Sequence, residues 1–179
     1  MKKILTIVLA LVLTLGAHAQ DEHMKFMGIP LDGNISTFQN KLSAKGVKPD
    51  TQFNASSPVG SRLYYGDFAG YEASFHVYYD KNTKIVYRAK ACIRNTDLSI
   101  VERYYKEIKK LIQTKYEDGI EDIGEQEGHE SYLMTIPEGY VSIYISKYTE
   151  TYPIQYTIHV DYEDYNNSVK HEKSKLDDI

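Results

Sequence analysis

Two stretches far apart in the chain share one alternation. IVYRAKACIR, Ile85 to Arg94, and IQYTIHVDYE, Ile154 to Glu163, put an apolar or small side chain on every second position, with polar and charged groups between. A period of two belongs to an extended strand whose faces see different surroundings, and no helix satisfies it. A third stretch sets Tyr71, Ala73, Phe75, Val77 and Tyr79 against Glu72, Ser74, His76 and Tyr78. The turn signal Asp80-Lys81-Asn82-Thr83 follows it and predicts a hairpin with Ile85–Arg94. A loop over Lys81 to Thr83 would set Asp80 opposite Lys84, Val77 beside Tyr87, Phe75 beside Ala89 and Tyr71 beside Ile93, with every apolar side chain on one face.

Helix signals precede each set of strands. Asn34 to Lys45 has Ser36 and Gln39 spaced as a capping box, Phe38 and Leu42 on one face, and Gly46 as a stop. The same grammar recurs at Ser99 with Glu102, the stripe Val101, Tyr105, Ile108 and Leu111 or Ile112, and a stop at Gly119. Pro137-Glu138-Gly139-Tyr140 then answers Phe68-Ala69-Gly70-Tyr71, and Ile154, Tyr156, Ile158, Val160 and Tyr162 answer Ile85, Tyr87, Ala89, Ala91 and Ile93. The order of caps, turns and strands predicts a duplication of a helix followed by three strands, in repeats over about 24–94 and 97–163. Each unit has one apolar stripe and one apolar sheet face to bury. The expected fold is α+β: a two-layer sandwich with both helices on one face of a six-stranded antiparallel sheet.

The first 19 residues read as a secretory signal peptide: two lysines, an apolar run from Ile4 to Leu15, then Ala17-His18-Ala19 as the cleavage site. The run is shorter than the roughly 20 residues of a membrane span, and no later stretch approaches that length. The expected location is periplasmic or extracellular. About 160 residues remain, suiting a single domain over 20–165, with 166–179 a polar tail expected to be disordered. Cys92 is the only cysteine, so no intramolecular disulfide can form. Loss of Lys2 and Lys3 moves the formal charge from −4 to −6, because residues 1–19 contain no acid, and with no basic block the balance speaks against a nucleic-acid partner.

The stretch FMGIPLDG before a helix ending in Lys45-Gly46 resembles the start of small exported proteins of gut bacteria, of unknown function. The duplicated helix-plus-sheet plan is similar to that of the β-lactamase inhibitor proteins. That resemblance implies a concave sheet gripping a partner protein, although the family's paired cysteines are missing here.

No nucleophile elbow, phosphate loop or tight metal-ligand pair occurs, and no cofactor is implied. Cys92 falls on the polar side of its strand between Lys90 and Arg94, with His76 and His159 expected on the same face. A cysteine nucleophile needs a histidine to take its proton, so a small hydrolase or metal-dependent enzyme on Cys92, His76 and His159, with Asp161 as a further ligand, is one alternative. A half-buried thiol filling a gap is the plainer reading. The acidic segment Glu117 to Glu130 lacks the ordered spacing of a calcium loop and reads as a solvated connection, and Lys106, Lys109, Lys110 and Lys115 read as a wet helix face. The leading expectation is a non-enzymatic binding module. Its candidate surface is the open sheet face with Glu72, Ser74, His76, Tyr78, Arg88, Lys90, Tyr144, Thr157 and His159, which mixes aromatic rings with both signs of charge. Such a face suits a protein or polysaccharide partner in the cell envelope. A structural envelope component is a third possibility.

Overall fold

A computed structural model of the chain describes residues 22–150 and 152–176, so the leader expected over 1–19 lies outside the described residues. The first half runs β1 (Lys25–Phe26), β2 (Ile29–Pro30), α1 (Ile35–Ser43), β3 (Lys48–Pro49), α2 (Thr51–Ser56), β4 (Ser61–Phe68), β5 (Tyr71–Tyr79) and β6 (Val86–Asn95). The second runs α3 (Leu98–Lys115), β7 (Ile120–Gln126), β8 (His129–Ile136), β9 (Gly139–Tyr148), β10 (Gln155–Asp164) and α4 (Tyr165–Leu176). β1 and β2 form a small hairpin, and the other strands make one antiparallel eight-stranded sheet ordered β3-β4-β5-β6-β10-β9-β8-β7. The class is α+β. No helix among the described residues is long and apolar enough to cross a membrane.

The two echoing stretches become the central neighbours of the sheet. β6 and β10 pair antiparallel, with Ile93 opposite Ile158, Ala91 opposite Val160 and Ala89 opposite Tyr162. All of these side chains join one buried cluster with the inward residues of the flanking strands and with Phe38 and Leu42 of α1 and Val101, Tyr105, Ile108 and Ile112 of α3. The β1–β2 hairpin drives Phe26 into that cluster. Its ring lies 5.8 Å from Phe68, 5.6 Å from Phe75 and 5.5 Å from Tyr162.

Several expectations are corrected. Both expected helices are capped two residues before the expected serine: Asn34 Oδ1 accepts from the Ser36 amide at 2.9 Å, and Asp97 Oδ1 accepts from the Ser99 amide at 2.8 Å. A carboxylate or carboxamide ahead of the serine takes the first free amide and so fixes the start. α3 stops at Lys115 rather than Gly119. Gly119 serves packing instead, since a Cβ there would lie 2.2 Å from Met134 Sδ.

The β5–β6 register differs from the expected one by two residues, with Phe75 opposite Ala91 and Val77 opposite Ala89. The faces survive because the shift is even. The loop is longer than expected: the Asp80 amide donates to Ile85 O at 2.9 Å, and Lys84 takes the left-handed turn position at φ 63°. Asp80 Oδ1 holds this turn by accepting from the amides of Asn82 and Thr83 at 2.9 and 2.7 Å. A bulge at Tyr78/Tyr79 then absorbs one residue, burying Val86 and leaving Ile85 and Tyr87, both expected inside, only half-buried.

The sheet has eight strands rather than six because two segments were missed. The acidic stretch over 117–130, expected to be a connection, contains β7 and its turn into β8. β3 is too short to show a period. Of the polar tail expected to be disordered over 166–179, residues 166–176 belong to α4, which is tied down at several points. Asn167 Nδ2 donates to Leu31 O at 2.6 Å, and both His171 Nδ1 and Ser174 Oγ bond Asp80 Oδ2, at 2.9 and 2.6 Å.

Candidate functional site

The face of the sheet turned away from the buried cluster carries all nine candidate residues, because the register alternates without a slip across β4, β5, β6, β10 and β9 apart from the bulge. Opposite charges meet directly across the central pair, Lys90 against Asp161 and Arg88 against Glu163. Asp161 is 2% exposed. It accepts from Arg88 Nε at 2.9 Å, from Arg88 Nη2, and from Lys90 Nζ at 3.2 Å. Lys90 also donates to Tyr144 Oη at 3.2 Å, and Arg88 lies 5.4 Å over the Tyr78 ring. The hydrogen bonds from Asp161 hold the Arg88 guanidinium above its usual pKa. Burial works against the Lys90 ammonium, but Asp161 and Tyr144 outweigh it and raise its pKa.

Beside this network, His159 is sandwiched under Tyr144, with ring centroids 4.7 Å apart. Its Nε2 is 2.7 Å from Ser146 Oγ, and its Nδ1 is 3.5 Å from Cys92 Sγ. A neutral imidazole can serve both, donating at one nitrogen and accepting at the other. Burial, then the nearby Lys90 charge, pulls the His159 pKa down to about 4. Burial likewise raises the Cys92 thiol, and burial with Arg94 and Lys90 lowers His76. Cys92 and His159 therefore touch as thiol and neutral imidazole, not as the thiolate and imidazolium that a cysteine nucleophile uses. Among the described residues no three His, Cys, Asp or Glu side chains group as metal ligands.

The sign of the His159 shift gives a pH dependence. The folded pKa lies below the unfolded one, so between pH 6.5 and about 4 the unfolded chain takes up a proton that the folded one refuses. Stability carried by this residue is present in full above that window and falls as pH drops through it. Urea melts of His159→Gln should show a flatter fall across this window than the parent. Equal slopes would mean that His159 titrates normally.

The open part of the face lies to one side, over β4, β5 and β6. A groove of about 520 Å³ is lined there by Lys48, Tyr65, Asp67, Glu72, Ser74 and Arg94, with Cys92 at its base. Tyr65 is 48% exposed, and its hydroxyl donates to Asp50 Oδ2 at 3.2 Å. Arg94 Nη1 donates to Ser74 Oγ at 3.0 Å. Neither Arg94 nor Lys48 forms an ion pair among the described residues.

The nine candidates thus divide by depth. Glu72 is exposed, and His76, Tyr78, Arg88, Lys90 and Tyr144 are half-buried. Ser74, Thr157 and His159 are buried at 4%, 0% and 8% exposure; Ser74 reaches the groove wall as the acceptor for Arg94, while Thr157 and His159 support the surface from below. Lys48, Tyr65 and Asp67 were missed. β4 does alternate, with Arg62, Tyr64, Gly66 and Phe68 against Leu63, Tyr65 and Asp67, but a glycine on the inner side weakens the signal. Gly66 is needed there, because a Cβ would lie 3.0 Å from Val47 Cγ2. Compared with protein-family models, with curated proteins and with solved structures, the chain finds no match, so its functional reading rests on this geometry.

Proposed function

We propose that the protein is an exported binding module, acting in the periplasm or outside the cell, that holds a protein or polysaccharide partner on the polar face of its sheet. The groove beside Arg94 is its anchoring point. One observation carries this reading: an open groove of about 520 Å³ brings an exposed tyrosine ring together with two cations that have no ion-pair partner among the described residues. The ring can stack on a sugar or an apolar side chain, and the cations can receive carboxylate or other acidic groups. The Arg88–Asp161–Lys90 network beside it holds neighbouring side chains in place. The strand order, with the last strands of each half side by side, supports reading the fold as a duplicated helix-plus-strands unit in a two-layer sandwich. A concave sheet gripping a partner, as the likeness to β-lactamase inhibitor proteins implies, fits the same face. Export rests on the first 19 residues.

The 3.5 Å contact between Cys92 and His159 favours a second reading, a hydrolase centred on this pair. The neutral state of both groups and the 3% exposure of Cys92 weigh against it.

Capture from a native cell-envelope fraction by immobilised mature protein separates the two. A Tyr65→Ala/Arg94→Ala variant should lose about tenfold or more in capture, as truncated anchor residues do, while Cys92→Ser keeps it. Full capture by the double variant would remove the groove as the anchoring point. Loss of turnover in Cys92→Ser with capture intact would establish the hydrolase.

A further inference from the structure

The two edges of the sheet are built differently. At one end β3 is two residues long, and its second residue, Pro49, has no amide to offer. At the other end β7 runs seven residues, Ile120–Gln126, pairs only with β8, and is exposed along its whole length. Its turn into β8 is a two-residue one, with Glu127 at φ 51° and Gly128 at φ 79°, so Gln126 and His129 form the closing hydrogen-bonded pair. Antiparallel pairing alternates from there. Asp122 and Gly124 therefore turn their N–H and C=O groups toward β8, while Glu121, Ile123 and Glu125 turn theirs outward. No backbone bond among the described residues reaches those outward groups.

We propose that the outer edge of β7 takes up an extended, basic segment of a partner protein as a further strand of the sheet. The unpaired backbone supplies the hydrogen bonds of strand addition, and charge selects the occupant. From Glu117 to Glu130 the chain carries seven carboxylates and no lysine or arginine. Glu130 is paired with Lys109 at 2.6 Å, whereas Asp122 and Glu125 have no ion pair among the described residues. A second copy of the chain pairing edge to edge would bring acidic side chains against acidic ones, which disfavours self-association. A strand bearing lysine or arginine at alternate positions turns them all to one face, and β7 offers carboxylates on either, Glu121 and Glu125 on one and Asp122 on the other. Ile120 and Ile123, 73% and 58% exposed, fall on opposite faces of β7 and give its apolar residues a contact on each.

The test uses the mature protein and two labelled peptides of alternating pattern, one with lysine between valine and threonine, the other with glutamate in place of lysine. The basic peptide should bind, more weakly as salt rises, and the acidic one should not. Ile123→Pro removes one outward amide without touching the β8 ladder, and should weaken binding at least about tenfold. Asp122→Lys/Glu125→Lys should abolish binding of the basic peptide, with circular dichroism confirming that both variants stay folded. Binding that survives Ile123→Pro but is lost on charge reversal would mean attraction to an acidic surface without strand addition, and would overturn the proposal. So would failure of the basic peptide to bind, or a parent protein that sediments as a dimer which Ile123→Pro dissociates.

Discussion

Phe75→Ala is expected to lower the free energy of unfolding by about 3–5 kcal/mol, the range for deleting a fully buried aromatic ring. Phe75 is 0% exposed, and its ring touches Phe26 at 5.6 Å and Phe68 at 6.4 Å between centroids. Its surroundings cannot close over the gap. Its neighbour on β6 is Ala91, too small to reach in, and on the other side β4 sets Tyr64 opposite it and Gly66 two residues along, where an added Cβ would lie 3.3 Å from the ring. A void bounded by backbone relaxes least, which puts this site toward the upper end of the range. Urea melts measure the loss. Tyr65→Ala, one strand away on the opposite face and 48% exposed, should stay within about 1 kcal/mol. Comparable losses from both would contradict the assignment of the two faces.

Asp161→Ala is expected to cost about 3 kcal/mol, for a different reason. Its carboxylate accepts from both Arg88 and Lys90 while itself 2% exposed, so its removal leaves two cations facing each other across a half-buried surface. The cost stays at the low end for a broken buried pair because Arg88 retains access to water and lies 3.8 Å from Glu163, which can take part of its charge. Adding Arg88→Met should recover part of the loss, since the stranded cation is then gone. A double variant as unstable as the sum of the single ones would mean that Asp161 and Arg88 are not coupled.

Legibility in the sequence followed the length of the periodic runs. β5, β6 and β10, each nine or ten residues long, could be read with their faces correct except at the start of β6, where the bulge buries Val86 in place of Tyr87. Their pairing was harder, because two registers an even number of residues apart bury the same side chains. The choice between them lay in the Asp80 turn and in a bulge that leaves no mark on the pattern. β7 was hidden by composition: an edge strand wet on both faces has no reason to alternate. α4 was hidden because docking through Asn167, His171 and Ser174 needs few apolar side chains. On the polar face, the candidates Arg88, Lys90 and His159 could be found from one strand each. The depth of His159, by contrast, depends on Tyr144 lying over it from β9, and the groove depends on Lys48 from a strand two residues long.

Hydroxyl-radical footprinting of residues 20–179, with and without a partner bound from a cell-envelope fraction, tests the polar-face account most directly, because tyrosine is a reactive reporter and the chain has 17. Tyr65 in the groove should be protected by the bound partner, and so should Tyr78, farther along β5 on the same face. Tyr152, fully exposed in the β9–β10 connection, should react as before. Unchanged oxidation of Tyr65 and Tyr78 while the partner is demonstrably bound would contradict binding through this face.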